Sequence, residues 1–261
     1  YNPLFVITGG EPLVCEGLLP ITKHLKYISA DWGMVTNGFA LTPELMDMFI
    51  INGIKSITLS VDGTEDSHKY IRRHPESWNR VLSALKIIGK SSVEVKDVVT
   101  CVYPKNLNRL HETAELLLKN GITSWRLFRI FPKGGAKERP ELLLNFDQSH
   151  QMLKWIGENR QKYKKKGLLI SFSCEGYLPF KQDRKVRTEP FFCRAGINFA
   201  SILSDGTITG CNNNGPDYYQ GNLISDDFKD IWENRFKEFR ERAWMKTGIC
   251  SNCREWKNCQ G

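Results

Sequence analysis

The cysteines of this 261-residue chain are unevenly distributed and could bind a metal. Three of the eight lie in the first 190 residues, and five lie between Cys193 and Cys259. In a reducing compartment, cysteines grouped in this way are metal ligands more often than disulfide partners. The three isolated cysteines, Cys15, Cys101 and Cys174, are expected to be small buried apolar residues.

The spacing of the clustered cysteines permits two kinds of metal. Cys250 and Cys253 are separated by two residues, so one tight turn could bring both thiolates to the same metal. Iron–sulfur clusters need about four thiolate ligands. Zinc held tetrahedrally by Cys193, Cys211, Cys250 and Cys253 is equally compatible with the spacing. On spacing alone both metals remain open.

Polar and glycine-containing motifs follow two predicted strands near the start of the chain. Residues 8–12 read Thr-Gly-Gly-Glu-Pro, and residues 35–38 read Val-Thr-Asn-Gly. Paired glycines let the backbone approach a ligand closely, and the carboxylate of Glu11 could pair with an ammonium group. An ordinary turn with Glu11 capping a helix is the alternative interpretation of the first motif.

A third polar motif lies within the predicted strand Ile57–Asp62. Strand side chains alternate between faces, so Thr58, Ser60 and Asp62 share one face, opposite the apolar side chains. Polar side chains on a buried central strand are costly unless they meet a polar ligand. Three such motifs at the ends of successive strands therefore point to one polar ligand at the mouth of a sheet or barrel.

Segments with strand and helix patterns alternate from the start of the chain to about residue 176. Regular alternation of this kind is typical of a parallel sheet, open or closed into a barrel. The predicted strands are Leu4–Thr8, Gly33–Thr36, Ile57–Asp62, Val93–Tyr103, Trp125–Phe131 and Leu168–Phe172. The predicted helices are Gly17–Tyr27, Pro43–Asn52, Trp78–Gly89, Leu107–Asn120 and Asp147–Lys166.

The pattern changes at about Tyr177. Short β segments around Ile197–Ile208 are followed by one predicted amphipathic helix, Asp226–Arg242, and then by the last three cysteines. The apolar residues are too few for a large core. A small second domain organised by bound metal is therefore expected.

Composition excludes several classes of protein. Hydrophobic residues make up 41% and charged residues 25% of the chain, as in ordinary globular proteins, and no apolar run is long enough for a membrane span. We expect a cytoplasmic protein. The net charge of +8 is scattered, and the basic run at residues 162–166 is expected to be a solvated helix end, so no nucleic-acid partner is predicted. The apolar run that follows Tyr1 at once suggests that the chain starts inside a domain.

The three strand-end motifs resemble, in order, those of the radical S-adenosylmethionine (SAM) superfamily, and the cysteine pattern resembles that superfamily's SPASM domain. The resemblance runs over nearly the whole chain. It implies an α/β fold: a partial parallel (β/α)6 barrel over residues 1–176 that lacks its first strand, followed by a small α+β SPASM domain over residues 177–261.

The resemblance also implies roles for individual residues. Glu11 and the two glycines before it would hold the amino group of SAM, Asn37 and Ser60 would line its methionine and ribose, and Arg72 would meet its carboxylate. The implied SAM-binding set is Gly9, Gly10, Glu11, Pro12, Thr36, Asn37, Ser60, Asp62 and Arg72.

The same resemblance implies ligands for auxiliary iron–sulfur clusters. Cys193 and Cys211 would bind the first, and Cys250, Cys253 and Cys259 the second. Up to two auxiliary 4Fe-4S clusters would then accompany one SAM-cleaving 4Fe-4S cluster, whose Cys-x3-Cys-x2-Cys loop would precede Tyr1. Each auxiliary set is short of four ligands, so truncation at both ends is expected.

The function implied is that of an oxidoreductase of the peptide-maturase type. Such an enzyme reductively cleaves SAM to a 5′-deoxyadenosyl radical, which abstracts hydrogen from a peptide or protein substrate, with electrons from a donor such as flavodoxin or ferredoxin. More narrowly, the chain resembles a Bacteroidales group of SPASM maturases encoded beside lipoproteins. A zinc-stabilised, non-catalytic peptide-binding module on a degenerate barrel is the alternative.

Overall fold

Six parallel strands form one sheet, in the order in which they follow along the chain. The computed structural model describes residues 2–261, which divide into a first unit of residues up to 175 with 185–188, and a second unit of residues 176–184 and 189–261. The strands are β1 (Phe5–Ile7), β2 (Trp32–Thr36), β3 (Ile54–Ser60), β4 (Val95–Val102), β5 (Ser124–Arg129) and β6 (Leu169–Phe172).

Helices connect successive strands, so that all six strands run in the same direction. Thr42 caps the second helix by accepting a hydrogen bond from the Leu45 amide at 3.2 Å. The helices of this unit are α1 (Leu18–Tyr27), α2 (Pro43–Ile51), α3 (Glu65–Arg72), α4 (Ser77–Lys90), α5 (Pro104–Leu107), α6 (Leu110–Lys119) and α7 (Phe146–Lys165), and α8 (Phe180–Val186) is divided between the two units.

The apolar face of β3 packs toward the helices. Ile57 and Leu59 in β3, and Val61 directly after it, are fully buried. Gly38 has φ +74°, and a β-carbon there would lie 2.5 Å from Leu59 Cδ1 and 2.7 Å from Ala84 Cβ in α4. The tight approach leaves room only for glycine at this position. The polar side chains of β3 therefore face the other side of the sheet, as the alternation predicts.

The second unit contains a three-stranded antiparallel sheet, β7 (Ser201–Ile202), β8 (Thr207–Thr209) and β9 (Tyr219–Asn222). Its small core consists of five residues: Ala195, Ile208, Ile231, Phe236 and Phe239. The remaining elements are α9 (Phe228–Asp230), a π-helical turn (Ile231–Arg235), α10 (Lys237–Arg240), α11 (Trp256–Cys259), and 3-10 turns at Pro216–Tyr218, Arg242–Met245 and Gly248–Cys250.

Several helices differ from the sequence-based prediction, and the short helices α5 and α8 are not predicted. The single helix predicted over Asp226–Arg242 is wrong, because a π-helical turn and then Phe236 interrupt it. Helix α3 is not predicted from sequence, since it is mostly polar and only Ser67 and His68 are buried. Among residues 2–261, no helix is both long and apolar enough to cross a membrane.

Candidate functional site

Glu11 joins the carboxyl ends of the first two strands. Its Oε1 accepts hydrogen bonds from the Thr36 hydroxyl at 2.5 Å and the Leu13 amide at 3.1 Å, and its Oε2 accepts one from the Asn37 amide at 2.7 Å. Pro12 is buried directly after it, as the first residue of a 3-10 turn. The side chain thus both caps that turn and fixes the strand ends, and one lone pair of Oε2 remains for a further donor.

Asn37 and Ser60 present unused hydrogen-bonding groups at the ends of β2 and β3. Asn37 Oδ1 accepts a hydrogen bond from the Phe39 amide at 2.8 Å, so the side chain is held in a fixed orientation. The Nδ2 group of Asn37 and the hydroxyl of Ser60 have no hydrogen-bond partner among the described residues, and both side chains are partly buried. Partly buried polar groups of this kind are normally satisfied by a ligand or water.

Asp62 holds Arg72 by one edge of its guanidinium. Arg72 Nε donates to Asp62 Oδ2 at 2.7 Å, and the Cys101 amide donates to Asp62 Oδ1 at 3.0 Å. The Asp62 side chain is 1% exposed and that of Arg72 is 32% exposed. Within residues 2–261 the two terminal nitrogens of Arg72 have no partner, so they form an oriented fork that could bind a carboxylate.

These groups lie at the same edge of the sheet, because all the strands are parallel and each group follows a strand end. Gly9 (φ +131°) and Gly10 complete the edge at β1, where a β-carbon on either would meet no atom within 4 Å. The edge therefore offers open backbone, a carboxylate, an amide, a hydroxyl and a guanidinium. Such a set is suited to a ligand that carries both an ammonium and a carboxylate group.

A second polar cluster lies deeper on the same face and is not predicted from sequence. Asp97 in β4 accepts hydrogen bonds from Thr58 at 2.9 Å, from Ser124 at 2.8 Å and from Arg126 Nη2 at 2.6 Å. Asp97 is 5% exposed and Arg126 38% exposed in their side chains. The cluster links β3, β4 and β5 and satisfies a buried carboxylate. Of its members only Thr58 belongs to a sequence motif, because the other three residues lie on strands that carry none.

His68 positions the turn that carries Asp62. The imidazole is 2% exposed, and its Nδ1 accepts a hydrogen bond from the Asp62 amide at 3.1 Å. Burial, which outweighs the attraction of Asp62, lowers the pKa of His68 to about 4. The ring is therefore neutral near pH 7, as an accepting Nδ1 requires.

Because His68 is buried in its neutral form, the free energy of unfolding of the protein is expected to depend on pH. In the unfolded chain His68 titrates with a pKa of about 6.5, so the stability it contributes is fully present above that value and is lost as the pH falls toward 4. Between about pH 7 and pH 5 the wild-type protein is expected to lose about 2 kcal/mol more than the His68→Asn variant, which keeps an acceptor but cannot take up a proton. Urea unfolding followed by tryptophan fluorescence measures this; equal losses would contradict it.

The cysteines differ in burial from the prediction. Cys15 and Cys174 are exposed, so the expectation that they are buried is wrong, whereas Cys101 lies partly buried at the end of β4. Burial is the main cause that raises the pKa of the Cys101 thiol to about 12, so it stays protonated. All eight cysteines are free thiols.

The five candidate ligands lie in the second unit. Cys253 is exposed, and the others are partly buried. The segments that carry Cys193 and Cys211 meet at Phe239, since a β-carbon at Gly196 or at Gly210 would lie 2.4 Å from that side chain. Within residues 2–261 no group of three or more His, Cys, Asp or Glu side chains is assembled to hold a metal ion, so the expected trio of Cys250, Cys253 and Cys259 is not brought together.

Comparison with known families assigns both units. The model of the radical SAM superfamily matches residues 3–117, and that of the SPASM iron–sulfur cluster-binding domain matches residues 193–254. The first unit therefore contains a radical SAM domain and the second unit contains a SPASM domain. By this domain content the chain is part of an enzyme. The narrower Bacteroidales group stays a prediction.

The curated relatives include AdoMet-dependent heme synthases and maturases. An AdoMet-dependent heme synthase of Methanosarcina barkeri is 25% identical over all of this chain and 77% of its own length. The mycofactocin maturase MftC of Mycobacterium tuberculosis is 26% identical over 98% of the chain and 64% of its own length. This radical SAM chain thus spans about two thirds to three quarters of these two relatives.

Solved structures share the fold. SuiB of Streptococcus suis, bound to S-adenosylmethionine, superposes with a TM-score of 0.74 at 14% identity over 99% of this chain and 61% of its own. The enzyme anSMEcpe with bound AdoMet gives 0.73 at 17% identity over 99% of this chain and 73% of its own. At these low sequence identities, the structural similarity establishes only the fold of the chain.

The side chains at the two candidate sites are chemically suited to SAM and to an iron–sulfur cluster. The unused groups of Asn37, Ser60 and Arg72 fit the amino-acid portion of SAM. In the SPASM unit, a buried guanidinium without a counter-ion among the described residues lies beside Cys193, which fits an anionic group there.

Proposed function

We propose that the protein is a radical SAM maturase that modifies a peptide or protein. One electron from an iron–sulfur cluster would cleave bound SAM into methionine and a 5′-deoxyadenosyl radical, which would abstract a hydrogen atom from the substrate to give 5′-deoxyadenosine. The observation that carries the proposal is the row of unused polar groups at the ends of β2 and β3 and on Arg72, in a chain of this superfamily. The electron donor would be a flavodoxin or ferredoxin. The absence of disulfides among the described cysteines supports a reaction in a reducing compartment such as the cytoplasm.

Each strand end has a part in holding SAM. Arg72 would bind the carboxylate with its two free nitrogens, while Asp62 fixes the plane of its guanidinium. Oε2 of Glu11 would accept from the ammonium group, with the backbone of Gly9 and Gly10 lying alongside. Ser60 would donate to the ribose or the methionine portion. Glu11 also holds Thr36 and Asn37, so the same carboxylate would both bind the ligand and position its neighbours.

The peptide class of substrate is supported by the relatives. Among them are the mycofactocin maturase, a PqqA peptide cyclase of Rhizobium meliloti and a sporulation killing factor maturation protein of Bacillus subtilis. A second candidate substrate is a tetrapyrrole, because the heme synthase relative matches the whole chain.

The test begins with the full-length protein, reconstituted without oxygen with iron and sulfide. With SAM and dithionite we expect it to release 5′-deoxyadenosine, measured by mass spectrometry. A protein with its full iron content that forms none would contradict the radical mechanism. A sample treated with an iron chelator before SAM is added serves as the control, because it should form no product.

The substrate class is tested by deuterium transfer. A lysate of cells grown in deuterium oxide is separated into a peptide and protein fraction and a small-molecule fraction, and each is added to the reaction. We expect deuterated 5′-deoxyadenosine with the first fraction, and loss of that signal after protease digestion. Transfer only from the protease-resistant small-molecule fraction would favour the tetrapyrrole and refute the peptide proposal.

A further inference from the structure

Arg242 is a buried arginine that holds the backbone of Cys193. It begins the 3-10 turn Arg242–Met245 and is 7% exposed. Its Nη2 donates to the Cys193 carbonyl at 2.6 Å, and its Nε donates to the Phe239 carbonyl at 2.7 Å. The guanidinium also lies 4.9 Å from the centre of the Phe192 ring. These contacts leave the side chain little freedom.

The charge of this guanidinium is not compensated. Arg242 forms no ion pair with a carboxylate in the part of the chain that the structure describes, and its Nη1 is buried without a hydrogen-bond partner. Arginine remains protonated in proteins. A buried cation with an unsatisfied donor is strongly unfavourable unless an anion lies beside it. An anionic group beside Arg242 would compensate the charge and accept a hydrogen bond from Nη1.

The position of Arg242 indicates what that group is. Cys193 and Cys211 both border the core that contains Phe239, and Gly196 and Gly210 pack directly on the Phe239 ring and its β-carbon. Arg242 thus lies where the two cysteine-bearing segments meet. Cysteine sulfur bound to metal is a thiolate, and thiolate-ligated iron–sulfur clusters have reduction potentials set by net charge and by hydrogen bonds to sulfur.

We propose that Arg242 is a positioning residue whose Nη1 donates to the sulfur of an iron–sulfur cluster held at Cys193. The proposal rests on the assignment of auxiliary clusters under the proposed function. Arg242 would orient Cys193 through its carbonyl and would supply a fixed positive charge beside the cluster. A nearby cation stabilises the reduced, more negative form, so Arg242 would raise the reduction potential of this cluster.

The test is a reductive titration of the full-length reconstituted protein, followed by electron paramagnetic resonance. In Arg242→Gln we expect the midpoint potential of one cluster to become more negative by about 59 mV. For a one-electron couple this corresponds to a change of about ten-fold in the ratio of oxidised to reduced protein. Arg242→Lys keeps the charge and should restore most of the shift. The electron paramagnetic resonance signal that changes when SAM is added belongs to the SAM-cleaving cluster, and the midpoint potential of that cluster should not change.

Arg240→Gln is the matched control. Arg240 is exposed and donates to the carbonyls of Gly196 and Trp232 rather than to that of Cys193, so this variant should leave all midpoints unchanged. Unchanged midpoints in Arg242→Gln, or loss of the cluster in both the glutamine and the lysine variant, would overturn the proposal. A wild-type protein with no iron and sulfide beyond the content of the SAM-cleaving cluster would instead refute the assignment of auxiliary clusters, so the two failures are distinguishable.

Discussion

Replacing Arg72 by lysine is expected to weaken SAM binding by about ten-fold or more while leaving the fold intact. The Asp62 carboxylate is buried and needs a cationic partner, which a lysine ammonium can supply. Lysine lacks the planar fork, however, and an ammonium held by Asp62 has no second edge to offer a ligand. The variant therefore separates ligand binding from the ion pair that supports the turn.

Arg72→Gln should produce both effects. Loss of a charge-assisted pair with the carboxylate of SAM corresponds to about 1.5–3 kcal/mol, or a ten- to hundred-fold rise in Kd. The same change leaves Asp62 buried without a cation, so the melting temperature should fall as well.

Isothermal titration calorimetry with SAM, alongside thermal unfolding, measures the two effects. Arg80→Gln is the control, because Arg80 is exposed and contacts Glu76 at 3.5 Å and the ring of Phe39 rather than Asp62. If Arg72→Lys binds SAM as tightly as the wild type, the carboxylate site lies elsewhere and Arg72 serves only Asp62.

The sequence predicts the six strands of the sheet well because the pattern that builds each strand is local. Apolar runs fix the strands, and alternation along β3 fixes which face Thr58 and Ser60 take. The hydrogen bonds of Glu11 could not be predicted in this way. Its partners Thr36 and Asn37 lie 25 and 26 residues away on the next strand, and only the parallel register of β1 and β2 brings them together.

The broken helix of the SPASM unit shows why periodicity alone fails there. Ile231 and Phe236 are both fully buried in the same core, although they are five residues apart. An α-helix has about 3.6 residues per turn, so that spacing would place them on different faces. A π-helical turn over Ile231–Arg235 brings both inward. The role of Arg242 could not be predicted for a related reason, since the sequence places this residue at the last position of the predicted amphipathic helix.

Replacing both Cys193 and Cys211 by alanine is expected to lower the iron content of the full-length protein by about four atoms, and its sulfide content by a similar number. This is the content of one 4Fe-4S cluster. The wild-type protein, reconstituted without oxygen, should be brown and should contain this cluster in addition to the SAM-cleaving one. Iron and acid-labile sulfide, determined per protein in the wild type and in Cys193→Ala/Cys211→Ala, give the difference directly.

The paired variant Cys15→Ala/Cys174→Ala is the matched control. These two thiols are also free, and they are more exposed than Cys193 and Cys211, so nonspecific iron binding would be lost at least as readily from them. We expect their removal to leave iron and sulfide unchanged. A wild-type protein with stoichiometric zinc, and with no iron beyond that of the SAM-cleaving cluster, would reject the auxiliary cluster, because four thiolates hold zinc equally well. The unused groups of Arg72, Asn37 and Ser60 would then still require a ligand. Because SAM binding does not depend on the SPASM cysteines, a measurement of SAM binding would distinguish a degenerate barrel from an enzyme stabilised by zinc.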